Sequence, residues 1–201
     1  MTLLEEVSAE TFREGSMLVL ETERLVLRSP RLEDAKAIAT LANDRRIAEN
    51  TRRLAHPYTI DHAEAFIASH RIAGGDLVFL ITLGNGTVIG SCGVTGIDSA
   101  SPFELGYWLG LSFWGKGYAT EAVRAVIDHA FSDLDHPALQ AGARVTNPPS
   151  RRILEKCGFQ WTGVGLCRIQ AIASSAPIDQ FRLERRIWAS LKSWRDVRRV
   201  A

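Results

Sequence analysis

The sequence predicts one mixed α/β domain, and three observations carry that prediction. Apolar residues alternate with polar ones over short runs bounded by Gly, Pro and Asn, the pattern of strands. Over other stretches they recur three and four apart, the pattern of helices. The two kinds of segment interleave in the order strand, two helices, three strands, helix, strand, helix, two strands, and do not separate into blocks. A chain of 201 residues is long enough for one domain with a substantial core. Its 46% hydrophobic and 23% charged residues are the balance of an ordinary water-soluble globule.

Residues 1–17 are mixed in pattern and read as an extension before a domain spanning 18–190. The first strand is Glu23-Arg24-Leu25-Val26-Leu27-Arg28, ended by Pro30. Residues 33–44 carry Ile38, Leu41 and Ala42 at helical spacing. Thr59 suits the N-cap of a second helix through Glu64, Phe66, Ile67 and His70, which Ala73-Gly74-Gly75-Asp76 breaks. Leu77–Leu83 is apolar and β-branched, and the turn Gly84-Asn85-Gly86 predicts a hairpin with Thr87–Ile97. Phe103–Leu111 is the third strand of this run. Gly115 and Gly117 precede a long helix from Tyr118 to Phe131, with Ala122, Val123, Val126, Ile127 and Ala130 on one face. Ala138–Val145 reads as a strand. Asn147-Pro148-Pro149-Ser150 opens a helix running to Cys157, since proline is tolerated in a first turn, and Gly158 stops it. Phe159–Ile169 and Ile178–Leu183 are the last two strands, and 191–201 is a basic tail.

The formal net charge of +1 argues against a molecule built as a whole to hold a polyanion. Arg182, Arg185, Arg186, Lys192, Arg195, Arg198 and Arg199 nevertheless crowd the C-terminus, as a solvated helix or as a contact for an acidic partner such as RNA. Nucleic acid is not the expected partner. Cys92, Cys157 and Cys167 are odd in number, with no C-x-x-C pair, so neither a zinc site nor a disulfide framework is expected. His56, His62, His70, His129 and His136 show no metal-ligand spacing, and no metal is expected. No basic segment leads into an apolar run at the N-terminus, and no apolar stretch reaches the ~18 residues of a membrane span. A reduced, cytoplasmic protein is the expectation.

The segment from Glu104 to Ala122 carries the chemistry: a strand, a glycine-containing loop, then a helix. The first amides of a helix lack intrahelical acceptors, and the helix dipole adds partial positive charge there, so a phosphate or diphosphate fits the junction. Gly115 and Gly117 allow close approach, while Lys116 and Thr120 add a charge and a hydroxyl. Three ligands compete. Gly110-x-x-x-x-Gly115-Lys116 matches most of a P-loop, but Gly117 stands where Ser or Thr would hold magnesium. Gly115-x-Gly117-x-x-Thr120 lacks the third glycine of a dinucleotide fingerprint. The third is the diphosphate of coenzyme A.

Trp114-Gly115-Lys116-Gly117-Tyr118-Ala119 resembles the Gln/Arg-x-x-Gly-x-Gly/Ala loop of the GNAT superfamily, with Trp in place of Gln or Arg as in its RimJ/RimL-type branch. Glu23–Arg28 with Glu33-Asp34-Ala35, Gly106-Tyr107-Trp108, and the run Asn147-x-x-Ser150 to Phe159 look like further signatures of that branch, in register over residues 20–190. The resemblance implies a twisted, mostly antiparallel central sheet with one splayed parallel strand pair and helices on both faces. It implies an enzyme that moves acetyl from acetyl-CoA to a primary amine, on a protein N-terminus or a small molecule, by direct attack in a ternary complex.

Residue by residue, the resemblance implies that the backbone at Trp108 and Leu109 pairs with the pantetheine arm, that amides from Gly115 to Thr120 hold the diphosphate, and that Trp114 and Asn147 contact the cofactor. The alternative reading of Asn147 is a helix cap, and that of Trp114 a packing residue. Glu104 is the candidate general base, or a carboxylate in a surface ion pair. Leu154 stands where many relatives keep a Tyr acid, so Ser150 is the candidate hydrogen-bond donor to the leaving sulfur, or else another cap. A backbone N–H near Leu109 would stabilise the developing oxyanion. Arg45, Arg46, Arg52 and Arg53 favour an acidic acceptor only if they face the cleft. The resemblance also admits a homodimer. Other readings are an acetyl-CoA-binding module without turnover and a P-loop-like nucleotide binder.

Overall fold

The computed structural model describes residues 18–70, 76–96 and 102–200, with side chains to residue 194. The expected extension at 1–17, the breaker at Ala73–Gly75 and Ile97 lie outside these. Eight strands among the described residues form one sheet: β1 (Val19–Glu21), β2 (Leu25–Arg28), β3 (Leu77–Leu83), β4 (Val88–Thr95), β5 (Phe103–Leu109), β6 (Ala138–Arg144), β7 (Gln160–Ile169) and β8 (Ser174–Glu184). Their spatial order is β1-β2-β3-β4-β5-β6-β8-β7. Every neighbouring pair is antiparallel except β5 and β6, which are parallel. The helices are α1 (Ala35–Ala42), α2 (Arg45–Ala48), α3 (Ile60–Ser69), α4 (Tyr118–Ser132), α5 (Pro148–Lys156) and α6 (Arg185–Val200).

Strand alternation explains why helices cover both faces. Phe79 and Ile81 of β3 and Leu105 and Leu109 of β5 point into a core with Val123, Val126, Ile127 and Phe131 of α4 and Leu154 of α5. Leu80 and, partly, Trp108 point the other way, against Ile38 and Ala42 of α1 and Ile67 of α3. The β3–β4 hairpin closes as its turn residues demand: Gly86 adopts φ +84°, and the Asn85 side chain accepts from the Thr87 amide. Thr59 caps α3 by accepting the His62 amide.

The structure departs from the sequence expectations at several edges. β1 and α2 were not expected. β5 ends at Leu109, and Leu111–Phe113 forms a 3-10 turn. β8 begins at Ser174 and not at 178. Pro177 is accommodated because the β6–β8 register ends at Ile178, and past it Pro177 needs only its carbonyl, which accepts the Val145 amide at 3.2 Å. The boundary drawn between 190 and 191 falls inside α6, whose Trp188 stacks on Phe131 at 5.3 Å and donates to Asp128 at 2.6 Å.

The buried Asp34 accepts two bonds from the Arg28 guanidinium, at 2.7 and 2.8 Å, and one from the Arg31 amide. Burial alone would raise its carboxyl pKa, but the Arg28 and Arg31 bonds outweigh it and hold the group below the usual carboxylate range. A group depressed on folding stabilises above its unfolded pKa, and that stability is lost as pH falls through its folded value. Asp34→Ala is therefore expected to cost about 3 kcal/mol at pH 7, since it takes the carboxylate from a mostly buried guanidinium that would keep only its bond to the Ser29 carbonyl. The deficit narrows as the medium is acidified below about pH 4. Urea unfolding at several pH values checks both.

Candidate active site

Strands β5 and β6 pair at Phe103↔Leu139, Glu104↔Gln140 and Leu105↔Ala141, and there the pairing stops. β4 stays with β5 to Gly90↔Leu109, and β8 stays with β6 to Arg144↔Ile178. The two middle strands therefore diverge, and the facing edges of Gly106–Leu109 and Gly142–Arg144 border a wedge. Backbone donors and acceptors on such edges need partners, and an extended polar chain can supply them as an added strand would.

The wedge opens toward the N-terminus of α4. After the 3-10 turn, Gly115 at φ +74° and Gly117 at φ +83° take left-handed conformations that bring the chain into the helix. The first-turn amides of α4 then point out of the helix end, where an anion is favoured. The half-exposed Trp114 indole donates to the Leu109 carbonyl at 2.8 Å and pins the loop to the end of β5. The P-loop pattern at Gly110–Lys116 is thus occupied by a 3-10 turn, on a strand that runs antiparallel to β4.

A clamp from the other end of the chain sets the shape of this loop. Arg24, between β1 and β2, pairs with Glu121 of α4 at 2.6 Å, donates to the Lys116 carbonyl at 3.0 Å and lies 4.7 Å over the Tyr118 ring. Glu121 also accepts from the Thr22 hydroxyl at 2.7 Å and the Arg24 amide at 2.9 Å. Burial pushes the Glu121 carboxyl up, but these bonds prevail and hold it low. Sequence reading noted Glu23–Arg28 as a signature without giving Arg24 a task; the separation of 97 positions between Arg24 and Glu121 hides it.

On the α1–α3 side the wedge joins a cavity of about 390 Å³. Glu104, Trp108 and Ser150 all line it, as do Tyr107, Arg52 and Arg53. Glu104 accepts from Arg52 at 2.6 Å. Ser150 lies 2.9 Å from the Tyr107 hydroxyl, which also donates to the Ser150 carbonyl at 3.2 Å. Burial pushes the Tyr107 phenol up, so it keeps its proton. Tyr107 was not among the expected site residues; alternation along β5 aims it at α5, but nothing in the chain ties position 107 to 150. Asn147 caps α5, accepting the Ser150 amide at 3.2 Å, and thereby fixes the turn that presents Ser150. Leu154, in place of a Tyr acid, is fully buried in the core. His62 and His70 of the α3 region face the cavity, though neither was expected at a site. Among the described residues no group of three or more His, Cys, Asp or Glu is placed to hold a metal. No helix among them is long and apolar enough to cross a membrane.

Known proteins agree with this architecture. The family model described as an acetyltransferase (GNAT) domain matches residues 24–160. An uncharacterized N-acetyltransferase of Bacillus licheniformis, p20, is 34% identical over 155 residues, which cover 74% of this chain and 85% of p20. In fold the chain is similar to Mycobacterium smegmatis RimJ solved with CoA-disulfide, at TM-score 0.71 and 20% identity over 84% of this chain and 86% of that one. It is equally similar to Vibrio cholerae spermidine N-acetyltransferase solved with CoA and spermine, at TM-score 0.71 and 20% identity over 84% and 99%. The splayed strand pair, the glycine loop at a helix N-terminus and the family match over more than half the chain agree: this protein is an acetyltransferase of the GNAT family.

Proposed function

We propose that the protein transfers acetyl from acetyl-CoA to a primary amine by direct attack, with Glu104 as base and Ser150 as donor to the leaving sulfur. The divergence of β5 and β6 beside the α4 N-terminus carries this reading, because it gives one cofactor two matching sites. The pantetheine amides pair with the β5 edge at Trp108 and Leu109. The diphosphate lies on the amides of Gly115, Lys116, Gly117, Tyr118, Ala119 and Thr120, with the Lys116 ammonium close by. This arrangement leaves the thioester between Glu104 and Ser150, both of which line the cavity.

The acceptor arrives as an ammonium and has no lone pair until it loses a proton. Glu104, directly or through one water, takes that proton. The nitrogen then forms a bond to the thioester carbon while the carbon–sulfur bond breaks. The thiolate leaves with its electron pair, its charge met by a hydrogen bond from the Ser150 hydroxyl, and takes up the second proton that the nitrogen sheds as it becomes an amide. Charge that develops on the carbonyl oxygen meets the backbone N–H near Leu109.

Two measurements test the reading. A ligand that binds only the folded state raises stability by RT ln(1 + [L]/Kd), roughly 2.7 kcal/mol at a hundredfold excess. Acetyl-CoA is expected to raise the melting temperature while ATP with magnesium does not; the reverse result sinks the proposal. The Arg24 clamp supplies the second. Arg24→Ala is expected to raise KM for acetyl-CoA about tenfold and to leave kcat/KM for S-acetyl-pantetheine, which lacks the diphosphate, unchanged. An equal loss with both donors would mean that Arg24 serves the fold and not the diphosphate loop.

A further inference from the structure

The charges lining the acceptor cavity identify a class of acceptor. Of the four arginines between 45 and 53, the structure sends two away from the site. Arg45 pairs with Glu49 and Arg46 with Asp44 on the exposed surface. Arg52 and Arg53 line the cavity. Among the described residues the only carboxylate on that lining is Glu104, and Arg52 already holds it.

Arg52 is fixed from three directions. Its Nη1 donates to Glu104 at 2.6 Å, its Nε donates to the Cys167 sulfur of β7 at 3.0 Å, and its carbonyl accepts the Gln170 amide at 3.1 Å. It stands on the seam between the cavity and a second groove over β6 and β8, lined by Gln140, Gln180 and Arg182, in which Glu104 is again the only carboxylate among the described residues. The Arg52 side chain is 40% exposed, so it can change partners without opening the core.

An incoming ammonium must compete with Arg52 for Glu104. Before it arrives, Arg52, Arg53 and Glu104 sum to one positive charge. A polycation would raise that sum and leave the guanidinium released from Glu104 without an anion. An amine that carries its own carboxylate cancels it: the ammonium takes Glu104, and the carboxylate takes the guanidinium fork, whose geometry matches a carboxylate in two parallel hydrogen bonds. We propose that the acceptor is a primary amine bearing a carboxylate close to its amine, received by Arg52 with Arg53 alongside, and that Arg52 excludes polyamines. This rests on the acetyltransferase reading above and adds the substrate class to it.

The test uses the full chain and calorimetry with acetyl-CoA first, then thiol release with matched acceptors. These are β-alanine, β-alaninamide and spermidine, with the peptide amides Ala-Asp-Ala and Ala-Lys-Ala as a second arm. The expected wild-type kcat/KM favours β-alanine over its amide, and the Asp peptide over the Lys peptide, by at least about tenfold, the scale of one charged hydrogen bond. Whichever arm turns over faster tells whether the carboxylate belongs to a small amino acid or to an acidic peptide. Arg52→Gln brings the acid-to-neutral ratio toward one and improves spermidine, whereas Arg52→Lys keeps part of the preference. The amines' own basicities cancel in that comparison, because the same pair is measured on each variant. A ratio unchanged in Arg52→Gln, or spermidine as the better wild-type substrate, overturns the proposal. So does acetyl-CoA binding with turnover of none of these amines, which leaves the cofactor reading standing. Absence of acetyl-CoA binding overturns both.

Discussion

Glu104→Gln is expected to lower kcat by about 10²- to 10⁴-fold at neutral pH, the range attributed to a positioned general base. KM for acetyl-CoA should stay within about twofold, since the change removes an interaction with the reacting amine and not with the cofactor. The argument begins in the sheet. Alternation puts Leu105 and Leu109 in the core with α4, so Glu104 and Trp108 emerge on the α1–α3 face. Glu104 sits one residue before the last β5–β6 pair, at the apex of the wedge, where an amine entering from the cavity would meet a thioester held along β5. Gln keeps the size of the side chain and an oxygen that can still accept from Arg52, so the fold has no reason to change. What it removes is the negative charge and the proton-accepting lone pair. A Glu104→Gln enzyme with wild-type kcat would take Glu104 out of the mechanism and leave it as the partner of Arg52 alone.

Local chemistry made the scaffold readable in the sequence, whereas contacts between distant positions did not show. The hairpin at Gly84–Gly86, the cap at Thr59 and the glycine loop before Tyr118 are each dictated by residues within a few positions of one another. Elements without such a signature were missed. β1 is three mostly exposed residues held by pairing to β2, and α2 is a four-residue turn capped by Asp44. The site divides in the same way. Gly115, Gly117 and the backbone of Trp108 and Leu109 are placed by strand–loop–helix geometry. The pairs Arg24–Glu121, Arg52–Glu104 and Tyr107–Ser150 join positions 97, 52 and 43 residues apart, and only the folded sheet brings them together. That is also why the arginine-rich stretch could not be interpreted from the chain. Four similar side chains divide between surface and cavity according to where α2 ends.

Ser150→Ala is expected to lower kcat about 10²-fold, comparable to removing one donor from a developing anion, and Tyr107→Phe to lower it about tenfold, by way of Ser150. The geometry gives the two residues one job. The Asn147 cap turns Ser150 toward the cavity, and the Tyr107 hydroxyl lies 2.9 Å from its oxygen. Burial keeps the phenol protonated, and its one proton can go either to the Ser150 carbonyl at 3.2 Å or to the Ser150 hydroxyl at 2.9 Å; in the second arrangement the serine proton is directed toward the leaving sulfur. Two groups acting in series lose their effect together, so the double variant should be no slower than Ser150→Ala alone, whereas independent groups would multiply. A second readout separates this role from mere packing. An aryl thioester expels a thiolate stable enough to leave without a proton, so with acetyl thiophenol as donor both variants should fall back toward wild-type rates. If the deficits persist undiminished with that donor, the Tyr107–Ser150 pair shapes the cleft and the leaving thiolate takes its proton from solvent.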